Sequence, residues 1–154
     1  VSYTLFLSTE GTKEPNFHRF SRTLKNRHDN RPTLDINDEY DVQDLLEGIL
    51  RLFIDDVRPE DCTPQYAGGS ARIDFHLPDF DMYIETKMTR DSLTDKKIGE
   101  ELLVDIGRYR EMCSVLVCFI YDPESRLKNP YGLIRDLEKM STNELEVRVI
   151  ISPE

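Results

Sequence analysis

The run VLVCFIY, residues 115–121, most constrains how this chain can fold. It leaves a strand no polar face, so other elements must cover both of its sides. Asp122-Pro123 ends it. A strand of that kind belongs near the middle of a sheet with helices packed above and below, and that is the α/β class.

The neighbouring segments supply those helices. Asn37 or Asp38 can cap a helix running to about Ile54, with Val42, Leu45, Leu46, Ile49, Leu52 and Phe53 as its apolar face. DDVRPEDCTPQYAGG (55–69) is rich in turn residues. Strands follow at 70–77 and 80–87, joined through Pro78-Asp79. A helix fits 94–112, burying Ile98, Leu102, Ile106 and Tyr109. Asn129-Pro130 opens another, carrying Leu133, Leu137 and Met140, and LEVRVIIS (145–152) is a last strand. The resulting order is helix, hairpin, helix, buried strand, helix, strand around a central mixed β-sheet.

Upstream, EGTKEPN (10–16) reads as a loop and FHRFSRTLKNRHD (17–29) as a short amphipathic helix with Phe17, Phe20 and Leu24 on one face. Arg19, Arg22, Lys25, Arg27 and Arg31 make the densest positive run in the chain, first a solvated face and second a phosphate-contacting patch. DNRPTLD (29–35) suits a linker. Residues 1–35 are therefore expected to be an appendage and 36–154 the main domain.

Composition narrows the function classes. No apolar run approaches the ~20 residues of a membrane span, and VSYTLFL at the start is too short for a signal-peptide core. The chain opens on Val rather than Met, as expected of a processed form or an excised piece. Cys62, Cys113 and Cys118 have no metal-ligand spacing, and His18, His28 and His76 do not cluster, so zinc is not expected. Thiols within apolar runs point to a reducing cytoplasm. A net charge of −10 argues against a general nucleic-acid coat protein. It leaves room for a nuclease that uses a local basic groove, another domain, or a divalent metal at the phosphate.

The hairpin carries the chemistry. Alternation puts Ile73, Phe75 and Leu77 on one face of the first strand and Arg72, Asp74 and His76 on the other. In the second strand Phe80, Met82 and Ile84 oppose Tyr83, Glu85 and Lys87. If the apolar faces coincide, Asp74 lies opposite Tyr83 or Glu85, depending on whether the turn has two or four residues. Either way two carboxylates and an amine share one face. Such carboxylates repel unless one is protonated or a cation lies between them, and oxygen ligands of this type suit Mg²⁺. The competing reading is a pair of cross-strand ion bridges, Arg72–Glu85 and Asp74–Lys87. Glu146-Val147-Arg148 has similar charge spacing without an Asp hairpin and reads as surface.

At these residues the chain resembles the PD-(D/E)xK nuclease superfamily, and within it the DpnII/MboI-like restriction endonuclease domain. The resemblance rests on INDEYDVQDLL (36–46), TPQYAGGSARIDF (63–75), YIETKMTR (83–90), LLVDIGRY (102–109), VCFIYDPE (117–124) and NPYGLIRDL (129–137). It implies a restriction-endonuclease-like fold with an αβββαβ core and an Mg²⁺-dependent site, where Mn²⁺ substitutes. Asp74 and Glu85 would be metal ligands with the Thr86 carbonyl beside them, and Lys87 the catalytic lysine. Glu39 would add an acid from the first helix, with Glu47 its substitute. Gln43, Arg72, Lys96 and Lys97 are the DNA-contact candidates, while Tyr66, Gly68 and Gly69 suit a turn near the backbone. Two positions depart from the pattern: Ile73 stands where the motif has Pro, and Glu101 where the following helix often has Gln, with Asp105 and Tyr109 at one-turn intervals after it.

The function implied is a DNA endonuclease, acting on double-stranded DNA as the effector domain of a bacterial defence protein. Other domains or subunits, or a homo-oligomer, would supply recognition and restraint. The alternative is an inactive nuclease-fold module serving as a binding or assembly platform.

Overall fold

In the computed structural model, which describes residues 16–62 and 72–153, the apolar run is a strand with a neighbour on each side. In chain order the elements are α1 (Asn16–Lys25), α2 (Glu39–Leu50), β1 (Arg58–Cys62), β2 (Arg72–Leu77), β3 (Met82–Met88), α3 (Asp95–Tyr109), β4 (Val115–Tyr121), α4 (Pro130–Glu138) and β5 (Glu146–Ser152). The strands form one sheet in the order β1-β2-β3-β4-β5. Pairing is antiparallel from β1 to β3 and parallel from β3 to β5. This is the α/β restriction-endonuclease-like arrangement, with α2 to β4 in αβββαβ order.

Alternate residues of β4 enter two separate apolar layers. Leu116, Cys118 and Ile120 pack with Ile98, Leu102, Ile106 and Tyr109 of α3. Val117, Phe119 and Tyr121 pack with Val42, Leu45, Leu46 and Leu50 of α2. The wholly apolar run follows from this position, because neither face of the strand meets water. Local signals place the helix starts. The Asp38 carboxylate accepts from the Tyr40 and Asp41 amides, and the Asn129 side chain accepts from Gly132 with Pro130 next in line.

Helix α1 joins the α2-side layer. Phe17 is buried edge-on against Phe119 and Tyr121, with ring centroids 5.0 and 5.2 Å away. This helix thus shares a core with the domain drawn from residue 36. Its inward stripe is Phe17, Ser21 and Leu24, whereas Phe20 is largely exposed.

Three sequence expectations are corrected. Arg58–Cys62, read as turn, is a strand paired with β2. It is a mostly exposed edge, so its sequence has no apolar alternation, and an edge tolerates Pro59. Helix α2 stops at Leu50 instead of Ile54, which leaves Leu52 and Phe53 exposed. Helix α3 ends at Tyr109, its last fully buried contact, not at residue 112. Tyr66, Gly68 and Gly69 lie outside the described residues. No helix among the described residues is long and apolar enough to cross a membrane.

If α1 is part of the core, Phe17→Ala will cost about 3–5 kcal/mol, as a buried Phe truncation does. Urea denaturation of the full chain measures it. A loss below about 1 kcal/mol would show that α1 is dispensable to the core.

Candidate active site

The β2–β3 ladder pairs Leu77 with Met82, His76 with Tyr83 and Phe75 with Ile84. A four-residue connection, 78–81, turns the chain, and Asp81 takes a left-handed conformation (φ 46°) to close it. Continuing this register by one residue sets Asp74 opposite Glu85, the four-residue alternative of the sequence reading. The ladder, however, stops at Phe75–Ile84. Ile73 packs in the α3-side layer, while Phe75 and Leu77 pack in the α2-side layer. The expected common face for all three is therefore not kept.

The Asp74 carboxylate reaches across to Thr86 of β3. Its Oδ2 accepts from the Thr86 amide (2.7 Å) and the Thr86 hydroxyl (2.6 Å). Gln43, one turn into α2, donates its side-chain amide to the same hydroxyl at 3.0 Å. Thr86 thus locks Asp74, and Gln43 orients Thr86. Gln43, expected as a DNA contact, spends that donor inside the protein.

Glu85 is buried. Its Oε1 lies 3.3 Å from Lys87 Nζ, and its Oε2 is enclosed with no hydrogen-bond partner. Glu39, at the start of α2, points to the end of β3, where Oε2 accepts from the Met88 amide (3.4 Å) and Oε1 is 3.8 Å from Lys87 Nζ. The lysine therefore stands between two carboxylates. Capping of α2 falls to Asp38, which frees Glu39 for the strand end. Glu47 instead pairs with Arg51 at 2.8 Å.

The electrostatics follow from crowded acids in a poorly solvated place. Burial, reinforced by Asp74 and Asp105, pushes the Glu85 carboxyl up to about 8 against the pull of Lys87. Burial also raises Glu39, with Lys87 opposing and Asp74 adding. Burial alone would lower Lys87, but Glu39, Glu85 and Asp105 outweigh it, so its pKa rises and it stays an ammonium.

Asp105 is the residue that sequence reasoning underused. It is buried on α3, its carboxyl raised by burial against the opposing charges of Lys87 and Arg108, and it lies 3.1 Å from Arg108 Nη1. The signal was present: an acid between Leu102 and Tyr109 falls within a buried helical stripe. Glu101, by contrast, is exposed. Tyr109 is buried, and its hydroxyl donates to the Arg72 carbonyl (3.1 Å).

A cleft of about 430 Å³ is lined by Glu39, Tyr40, Gln43, Arg72, Asp74 and Arg90 among others, and reaches Glu39 and Asp74 of the cluster but not Glu85, Lys87 or Asp105. Arg90 was not singled out from sequence. Neither expected cross-strand bridge forms among the described residues. The guanidinium of Arg72 lies 3.5 Å from Glu60 on the edge strand, while Lys87 pairs with Glu85 and Glu39. Lys96 and Lys97 do not line the cleft: Lys96 is 3.7 Å from Glu100, and Lys97 donates to the Ser92 carbonyl.

Among the described residues, no three His, Cys, Asp or Glu side chains converge as a ready metal cage. The donor chemistry still fits a hard cation. A buried carboxylate oxygen without a partner, beside acids held above their usual range, marks a site short of positive charge.

A family model described as REase_DpnII-MboI matches residues 14–154. No curated protein and no solved structure matches the chain.

The raised Glu85 carboxyl fixes a pH dependence. The unfolded chain releases this proton near 4.5 and the folded chain near 8, so between those values the folded state holds more protons. Stability without metal should fall across pH 4.5–8, by on the order of a few kcal/mol. Glu85→Gln should flatten that fall, read as urea midpoints in EDTA at several pH values. An equal slope in both proteins would show that Glu85 is not the group responsible.

Proposed function

The chain belongs to the DpnII-MboI restriction endonuclease family, and from that premise we propose that it hydrolyses DNA phosphodiesters at the Asp74–Glu85–Lys87 cluster with the help of a divalent cation. The observation that carries this reading is the buried, partnerless Oε2 of Glu85 beside a lysine held by two carboxylates. A surface ion bridge has no reason to bury an unsatisfied carboxylate oxygen, whereas a cation-binding site does.

Each residue has a task. The Lys87 ammonium is held 3.8 Å from Glu39 and 3.3 Å from Glu85, and Glu39 contributes most to offsetting its burial. A fixed positive charge there stabilises the negative charge that builds on the phosphoryl oxygens as the bond breaks. The Thr86 amide and hydroxyl fix one oxygen of Asp74, and Gln43 fixes the hydroxyl, so the carboxylate needs little reorganisation. Asp74, Glu85 and the Thr86 carbonyl are the groups that would hold the cation. An all-oxygen set of this kind suits Mg²⁺, with Mn²⁺ able to replace it. When bound, the cation supplies Lewis-acid polarisation of the phosphodiester. Arg72 and Arg90 line the cleft where substrate phosphates would lie.

Water is the nucleophile in this reading, and the products carry 5′-phosphate and 3′-hydroxyl ends. We place the reaction on double-stranded DNA in the cytoplasm, as the effector part of a bacterial defence protein. Further domains, or further copies of the chain, choose the target.

Plasmid and linear duplex DNA should be cut in Mg²⁺ or Mn²⁺ and not in EDTA. Lys87→Ala and Asp74→Ala should each lower the rate about a hundredfold or more. Cutting that persists in both variants would remove this cluster from the chemistry. Divalent cation should also raise the melting temperature of the wild type, and do so less in Asp74→Ala. Equal shifts in the two proteins would place the cation elsewhere.

A further inference from the structure

We infer that Arg90 seats the DNA backbone in the catalytic cleft by taking a phosphate that flanks the scissile one; this deepens the nuclease reading and rests on it. Arg90 lies three residues beyond Lys87, just past the end of β3. Its exposed side chain lines the same cleft as Glu39 and Asp74.

The partners of the cleft's charged residues single it out. Asp38 accepts from the Tyr40 and Asp41 amides, Glu39 accepts from the Met88 amide and faces Lys87, and Asp74 is held by Thr86. Arg72 lies 3.5 Å from Glu60. That leaves Arg90, whose guanidinium has no carboxylate partner among the described residues. Even the acid next to it in the chain is taken, because Asp91 pairs with Arg126. Arg90 is therefore an unspent charge in a cleft otherwise weighted toward carboxylates, and a planar guanidinium suits a phosphate.

Its backbone, by contrast, is fixed on both sides. The Thr89 amide donates to the Tyr121 carbonyl at 3.0 Å, and the buried Thr89 hydroxyl donates to Asp122 at 2.6 Å. Asp122 in turn accepts from the Arg126 and Leu127 amides, which ties the end of β3 to the loop after β4. The Arg90 carbonyl accepts from the Leu93 amide at 2.9 Å. A free side chain on a held backbone lowers the ordering cost of binding.

Position separates its task from that of Lys87. The lysine is drawn inward between Glu39 and Glu85 and does not line the cleft, whereas Arg90 does. The backbone from Lys87 to Arg90 spans at most about 10 Å, the rise of about three nucleotides along one strand. A DNA strand with its scissile phosphate at Lys87 thus has a flanking phosphate within reach of Arg90. A contact to a phosphate that does not react is equally strong before and during bond breaking, so it sets affinity rather than turnover.

Steady-state cleavage of duplex DNA by the full chain in Mg²⁺ tests this. Arg90→Ala should raise KM about tenfold, the effect of losing one charged hydrogen-bond partner, and change kcat by less than about threefold. The same tenfold loss should appear in Kd for a fluorescent duplex when both proteins carry Lys87→Ala. Arg110→Ala removes an exposed charge just after α3, outside the cleft, and should leave KM unchanged. Melting temperatures within about 2 °C of the wild type show that neither substitution acts through the fold. An unchanged KM in Arg90→Ala, or an equal rise in Arg110→Ala, overturns the assignment. A fall in kcat with KM unchanged also overturns it, since Arg90 would then act on the reacting phosphate. In each of these cases a wild type that cuts DNA leaves the nuclease reading standing. A wild type that neither binds nor cuts DNA overturns both.

Discussion

The burial of β4 on both faces is the constraint on which the rest of the molecule depends. Its even-numbered residues complete the layer under α3 and its odd-numbered residues the layer under α2, so both helices are placed by one strand. Its neighbour β3 inherits the same two-sided setting, and there the polar residues of the chain's chemistry begin. Glu85 is sensed by Asp105 and Tyr109 on the α3 side, while Thr86 meets Gln43 on the α2 side. The cluster therefore straddles the sheet near its end, with Lys87 drawn toward the start of α2.

That placement is unfavourable to the protein alone. Three carboxyls are raised above their usual range by burial, and one buried oxygen lacks any partner. Folding tolerates this because two extensive apolar layers flank the sheet. Sites that must stabilise charge during a reaction are commonly built with such an imbalance, since a fully satisfied ion bridge has nothing left to offer a substrate.

The end of the β2–β3 ladder is the second decisive feature. Beyond its last pair, Phe75–Ile84, Asp74 takes the Thr86 amide and hydroxyl, and Arg72 pairs with Glu60 of β1. These contacts take the place of the ion bridges that the strand pattern alone allowed.

Most of the fold was legible because its signals are local or periodic: the apolar β4 run, the Asp38 and Asn129 caps, and the stripes of α2 and α3. The edge strand β1 was not, since an exposed strand needs no apolar alternation, and the inclusion of Phe17 in the core was not, since a short amphipathic helix does not name its partner. Of the cluster, residue types and strand parity brought Asp74, Glu85 and Lys87 together on paper. Only the tertiary structure decided that Glu39 faces Lys87 while Glu47 faces Arg51, that Gln43 serves Thr86, and that Asp105 lies inward and Glu101 outward. Periodicity tells which side of an element is buried. It does not tell which of two acids one turn apart meets the charge of another element, because that depends on how far along the sheet each helix is docked.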